Sequence, residues 1–151
     1  MSQIENLHNS LIEKGKTLAL AESCTGGCLA AKLTAIPNAS KYFLGCIVAY
    51  SNAMKRKLLN VSQKTLLESG AISRETANEM LIGLMKVSEA DFGIAITGDA
   101  GPTGNKIGTV YIAVGAHGKK PHVIECHFKG DRKAVMEAAC DRALECVCEF
   151  I

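Results

Sequence analysis

The segment Glu22-Ser23-Cys24-Thr25-Gly26-Gly27 follows a short apolar run, Thr17 to Ala21, and precedes an Ala/Leu-rich stretch that stops before Pro37. A strand turning sharply into a helix there would put the Ser23 hydroxyl at or near the N-cap. The main-chain N–H groups of Thr25, Gly26 and Gly27 would then face outward. Unpaired N–H groups at a helix start stabilise negative charge, and paired glycines let a ligand approach the backbone. Acyl transfer needs this combination of a nucleophilic hydroxyl and donors for an oxyanion. The same residues also suit a plain serine cap on a tightly packed helix. Cys24 is a second candidate nucleophile unless its side chain turns into the core.

A serine nucleophile needs a base, usually histidine. The four histidines, at 8, 117, 122 and 127, fall in the first helix, a hairpin turn and a late strand, away from Ser23. Tyr50-Ser51-Asn52-Ala53-Met54-Lys55 offers another solution. Lys55 lies on the first turn after the second strand, on the same sheet edge as Ser23. A lysine accepts a proton when burial or a neighbouring cation lowers its pKa, and Tyr50 could orient or relay that proton. The alternative is a solvated helix lysine and a tyrosine at the edge of the core.

Two further segments carry polar chemistry. Thr97-Gly98-Asp99-Ala100-Gly101-Pro102-Thr103-Gly104 fits neither the Walker spacing, given where Lys106 falls, nor GxGxxG. It is either a turn or a pocket wall that presents backbone donors. Phe128-Lys129-Gly130-Asp131-Arg132 places an arginine in a first helical turn, against the macrodipole. That position suits an anion held between Arg132 and free amides; an exposed arginine costs little there.

The elements that must position these groups are legible from periodicity. Ile4, Leu7, Leu11 and Ile12 mark a helix ended by Gly15. Strands are expected at Thr17–Ala21, Phe43–Tyr50 and Phe92–Thr97, and a hairpin from Thr109–Val114 and Val123–Phe128. Ser51, Ser62, Ser73 and Asp131 are N-cap candidates. The last helix should bury Val135, Ala139, Ala143, Val147 and Phe150. Early alternation and a late hairpin imply a mixed sheet covered on both faces, with sites gathered at the carboxyl ends of its strands.

Composition narrows the function. The 151 residues are 48% hydrophobic and 21% charged, with a formal net charge of +2, as expected for one ordinary domain over 1–151. Basic residues are dispersed and aromatics are only 5%, which argues against nucleic acid as partner. The seven cysteines form no CxxC and no zinc spacing, so they read as reduced core thiols in a reducing compartment. No signal peptide and no membrane span are expected, which points to the cytoplasm.

Taken together, AESCTGG at 21–27, AYSNxxK at 49–55, TGxAGPxG at 97–104, GTVYIA at 108–113 and FKGDR at 128–132 closely resemble the CinA C-terminal domain family. Its characterised stand-alone members are nicotinamide-nucleotide amidases. The resemblance implies an α/β fold, a three-layer α/β/α sandwich with a mixed, mostly parallel sheet. It implies hydrolysis of nicotinamide mononucleotide to nicotinate mononucleotide and ammonia by a Ser–Lys mechanism, with no metal and no cofactor, in a homo-oligomer. Onto this chain it carries Ser23 as nucleophile, Lys55 as base and Tyr50 as their support. It places Thr25, Gly26, Gly27, Asn52, Thr97, Gly98 and Gly101 around the substrate, and Arg132 near its phosphate. Longer relatives carry an N-terminal domain that this chain is expected to lack. Two features depart from the pattern. The loop Thr103-Gly104-Asn105-Lys106-Ile107 is short, and Asp99 stands where an apolar residue is usual. A carboxylate there repels a phosphate or carboxylate unless it is paired. A non-catalytic nucleotide-binding or competence-associated interaction module is the rival reading, and a different small carboxamide is a rival substrate.

Overall fold

The computed structural model describes residues 2–151. The elements run α1 (Gln3–Lys14), β1 (Leu18–Glu22), α2 (Cys28–Thr34), a 3₁₀ turn (Ala39–Lys41), β2 (Phe43–Val48), α3 (Asn52–Leu59), α4 (Gln63–Glu68), α5 (Arg74–Ser88), β3 (Phe92–Gly98), β4 (Thr109–Ala116), β5 (His122–His127) and α6 (Arg132–Phe150). Local chemistry sets most of the boundaries. Ser51, Ser62 and Ser73 accept hydrogen bonds from the N–H groups of Met54, Thr65 and Thr76, and Asp131 accepts from Ala134. Each satisfies a donor that the helix start leaves open.

The five strands form one sheet in the order β2-β1-β3-β4-β5. β1 runs parallel to both β2 and β3, whereas β4 runs antiparallel to both β3 and β5. The expectation of a mostly parallel sheet is therefore corrected: parallel and antiparallel pairings are equal in number. The cause is the Gly-rich loop after β3, which reverses the chain directly into β4 instead of sending it through a crossover helix.

β1 is buried along its whole length, and its side chains alternate between two apolar clusters. Leu18 and Leu20 join Leu7, Leu11, Leu29, Leu33, Val135, Ala139 and Val147 from α1, α2 and α6. Ala19 and Ala21 join Leu59, Ala77, Met80, Leu81 and Leu84 from α3 and α5. Helices thus cover both faces, and the small residues of β1 let α5 lie close. Phe150, expected in the buried stripe of α6, is only partly buried at the cluster's edge. No helix of the described residues is long and apolar enough to cross a membrane.

The α3–α5 contact depends on one residue without a side chain. A Cβ at Gly83 would lie 1.8 Å from the Leu59 carbonyl oxygen, so the helices would have to separate. Overpacking of this kind costs about 1–3 kcal/mol, and each kcal/mol moves Tm by roughly 2–4 °C in a chain this size. Gly83→Ala is expected to lower Tm by roughly 4–10 °C in a thermal melt. An unchanged melt would mean that the crossing has slack.

Candidate active site

Parallel register brings the candidate residues together. Glu22, the last residue of β1, pairs with Val48 on β2 and with Ile96 on β3. The chain segments leaving these strands therefore emerge side by side at their carboxyl ends. The Ser23 N–H donates to the Ile96 carbonyl at 3.0 Å, and the Ala49 N–H donates to the Glu22 carbonyl at 2.9 Å. These two bonds fix the backbone on either side of the reacting groups. Ser51 caps α3 one turn before Lys55 and aims that side chain back across the sheet edge.

The Lys55 Nζ lies 2.9 Å from the Ser23 Oγ and 2.9 Å from the Tyr50 carbonyl oxygen. Lys55 is 1% exposed, and among the described residues it has no carboxylate partner. Burial without a counter-charge disfavours the ammonium, and its pKa falls to about 8. Both groups line a cavity of about 440 Å³ that also touches Cys24, Thr97, Gly98 and Arg132. Arg132 donates to the Gly101 carbonyl at 2.5 Å and to the Tyr50 hydroxyl at 2.7 Å. It forms no ion pair among the described residues, so a guanidinium at the cavity wall is left without an anion. No set of three or more His, Cys, Asp or Glu side chains among the described residues converges to hold a metal ion.

The sequence profile of the CinA C-terminal domain matches residues 2–151. The chain belongs to the CinA C-terminal domain family. It is 43% identical over 139 residues to a CinA-like protein of Endomicrobium trichonymphae, an alignment covering 89% of this chain and 32% of that protein. It is 39% identical over 156 residues to a CinA-like protein of Desulfotalea psychrophila, covering 100% of this chain and 37% of that protein. The chain thus spans about a third of the length of these curated relatives. Among solved structures it is similar to the competence damage-inducible protein A of Klebsiella pneumoniae, with TM-score 0.94 and 34% identity, covering 97% of this chain and 93% of that one. It is also similar to the competence/damage inducible protein CihA of Agrobacterium tumefaciens, with TM-score 0.91 and 34% identity, covering 99% of this chain and 96% of that one.

Within this CinA domain, several sequence expectations need correction. Ser23 does not cap the following helix. α2 begins at Cys28 with Gly27 as N-cap, because Gly26 (φ 60°) and Gly27 (φ 101°) carry a left-handed turn between Ser23 and the helix. Nor are the helix-start donors open to substrate. The fully buried carboxylate of Glu22 accepts from the N–H groups of Gly27 at 3.1 Å, Leu29 at 3.2 Å and Ala30 at 2.9 Å. The Gly26 N–H turns inward to the Ser23 carbonyl. Neither Gly26, Gly27 nor the buried Thr25 lines the cavity, and the Thr25 Oγ1 has no partner among the described residues. The N–H groups of Cys24 and Thr25, by contrast, have no acceptor elsewhere in the described residues. Of the two residues Cys24 lines the cavity and Thr25 does not, so the Cys24 N–H is the turn's available donor.

Tyr50 acts differently from expectation. Its carbonyl, not its hydroxyl, accepts from Lys55, and the hydroxyl accepts from Arg132. Cys24 reaches the cavity, but burial pushes its thiol up to about 11, which leaves almost no thiolate at neutral pH. Asn52 opens α3 on the exposed surface and does not line the cavity. Gly101 meets Arg132 through its carbonyl without lining the cavity. Thr97 does line it, while its hydroxyl donates at 2.7 Å to the Ala71 carbonyl.

Sequence reasoning assigned no role to Glu22 or to Ala71 and Ile72, which form part of the cavity wall. A signal existed for Glu22, since an acid shortly before a helix opposes its positive end. None existed for Ala71 and Ile72, which reach the site only through tertiary packing. Asp99 proves to be an organiser of the short loop. Its carboxylate accepts from the Gly101 N–H at 3.0 Å and from the Lys106 N–H at 3.2 Å.

Proposed function

We propose that this domain hydrolyses the carboxamide of nicotinamide mononucleotide, giving nicotinate mononucleotide and ammonia. The observation that carries the reading is the buried Ser23–Lys55 contact at 2.9 Å, in which the lysine has no ion-pair partner among the described residues to hold it in its charged form. A structural lysine at such a position would be expected to find a counter-charge. An amine with a pKa of about 8 is instead suited to taking and returning a proton near neutrality.

The neutral Lys55 amine takes the Ser23 proton as Oγ bonds to the carboxamide carbon. The carbonyl electrons move onto oxygen, where the N–H of Cys24, at the cavity wall, supplies a donor. Lys55, now an ammonium, returns the proton to the amide nitrogen. The C–N bond breaks and ammonia leaves, with the acyl group on Ser23. Water then attacks the ester while Lys55 accepts its proton, and protonation of Oγ frees the acid. Arg132 supplies a cation for the phosphate, and its present partners are neutral oxygens that an anion readily supplants.

Ammonia release from nicotinamide mononucleotide, nicotinamide riboside and nicotinamide tests the reading. The mononucleotide should show the highest kcat/KM, with the riboside lower for want of the Arg132 contact and free nicotinamide lowest. Calorimetric binding of the mononucleotide with no ammonia from any of the three would instead make the domain a nucleotide-binding module.

A further inference from the structure

Among the described residues, Asp99 is the only acidic one lining the cavity. It forms no ion pair among the described residues. The cation nearest in sequence is turned elsewhere, since the Lys106 Nζ donates to the Ile72 carbonyl at 3.1 Å. The Arg132 guanidinium is held by Gly101 and Tyr50. The carboxylate is also rigidly placed. Two main-chain N–H groups hold its oxygens, and Gly104 packs so closely that a Cβ there would lie 2.1 Å from Oδ2. The loop is thus folded around a fixed negative charge that has hydrogen-bond donors but no counter-ion.

A fixed charge in a partly enclosed cavity acts on any ligand charge that enters. The cavity therefore presents two opposite signs to a ligand, a cation at Arg132 and an anion at Asp99, beside a lysine that works in its neutral form. A nicotinamide ring bonded to ribose through its nitrogen is a pyridinium and carries a positive charge, whereas free nicotinamide and the dihydropyridine form do not. We infer that Asp99 is a specificity-determining residue that makes the site select cationic, N-substituted pyridinium carboxamides over neutral ones. This rests on the carboxamide reading of the site and adds the feature that recognises the ring's charge. The carboxylate acts by its charge, with no bond made or broken.

The test compares nicotinamide mononucleotide with its reduced dihydropyridine form, which has the same ribose and phosphate but an uncharged ring. Binding is measured by calorimetry in a Ser23→Ala background, so that neither nucleotide is consumed, with and without Asp99→Asn. The Asp99-containing protein should bind the oxidised nucleotide about tenfold more tightly, the effect of one screened charge contact. Asp99→Asn should bring the ratio to within about twofold of unity. Loosening of the loop, or easier phosphate binding once a negative charge is gone, changes both affinities together and leaves the ratio untouched. If Asp99→Asn fails to fold, the Asp99-containing protein alone decides, by binding the N-methylnicotinamide cation more tightly than nicotinamide. An equal affinity for charged and uncharged rings with Asp99 present, or a preference that survives Asp99→Asn, would overturn the inference. The amidase reading is judged separately, by whether wild-type protein releases ammonia, so either can fail without the other.

Discussion

Ser23→Ala should cut ammonia release by roughly 10⁴-fold or more, the scale seen when a covalent nucleophile is removed from a working triad or dyad, and leave the melt within a few degrees of wild type. The loss is chemical: without Oγ no acyl intermediate forms, and Lys55 has no proton to take. The fold survives because Ser23 is held by its backbone. Its N–H donates to Ile96 and its carbonyl accepts from Gly26, and alanine keeps both bonds. Cys24→Ser is the matched comparison. The Cys24 thiol sits in the cavity wall but is pushed up to about 11 by burial, so this variant should retain most of its activity. Mass spectrometry of protein quenched during turnover should find an acyl adduct in wild type and none in Ser23→Ala. Undiminished activity in Ser23→Ala would end the serine mechanism, and loss confined to Cys24→Ser would transfer the role to the thiol.

The parts of this site that were legible in the sequence are those governed by local rules. Ser51, Ser62, Ser73 and Asp131 announce helix starts because a capping bond spans only three residues. Ser23 and Lys55 stand out by residue type and by their places after strands, but 32 positions separate them. Their contact follows from the parallel pairing of Glu22 with Val48, which no local pattern states. Glu22 carried a local signal, but not one that told of its burial. A carboxylate reads as a surface group in a sequence, and only the fold shows it buried against three helix-start amides. That same carboxylate takes the Gly27 N–H out of the expected donor set, the Ser23 carbonyl takes that of Gly26, and Cys24 is left as the donor residue at the cavity wall. Four of the segments named by the family resemblance meet at one cavity, whereas the direction of the Tyr50 hydroxyl and the inward-turned Thr25 are set by packing. The equal share of parallel and antiparallel pairs likewise depends on how tightly the loop at 99–108 reverses, and that reversal is held by Asp99.

Lys55→Met should abolish turnover and at the same time make the protein more stable at pH 7. The two effects have one origin. In the fold the Lys55 ammonium sits 1% exposed with only two oxygens to bond, and its pKa drops from 10.5 to about 8. Below pH 8 the folded and unfolded chains both carry the proton, and the fold bears the full cost of burying it, on the order of 3 kcal/mol. Between pH 8 and 10.5 the unfolded chain binds more protons than the folded one, so wild-type stability rises with pH across that window. Methionine fills similar space with no charge. It forgoes two hydrogen bonds worth about 1 kcal/mol each, but Ser23 and Tyr50 line the cavity, where water can replace the amine. The net gain at pH 7 should therefore appear as a Tm roughly 2–6 °C above wild type, shrinking or reversing by pH 10.5 as the wild-type amine becomes neutral. Activity should follow the same titration in wild type: kcat/KM climbs about tenfold per pH unit below pH 8 and levels off above it, because only the neutral amine accepts the Ser23 proton. A Lys55→Met protein that melts below wild type at every pH, together with a flat rate between pH 6 and 9, would show an ordinary structural lysine at this position and remove the base from the mechanism.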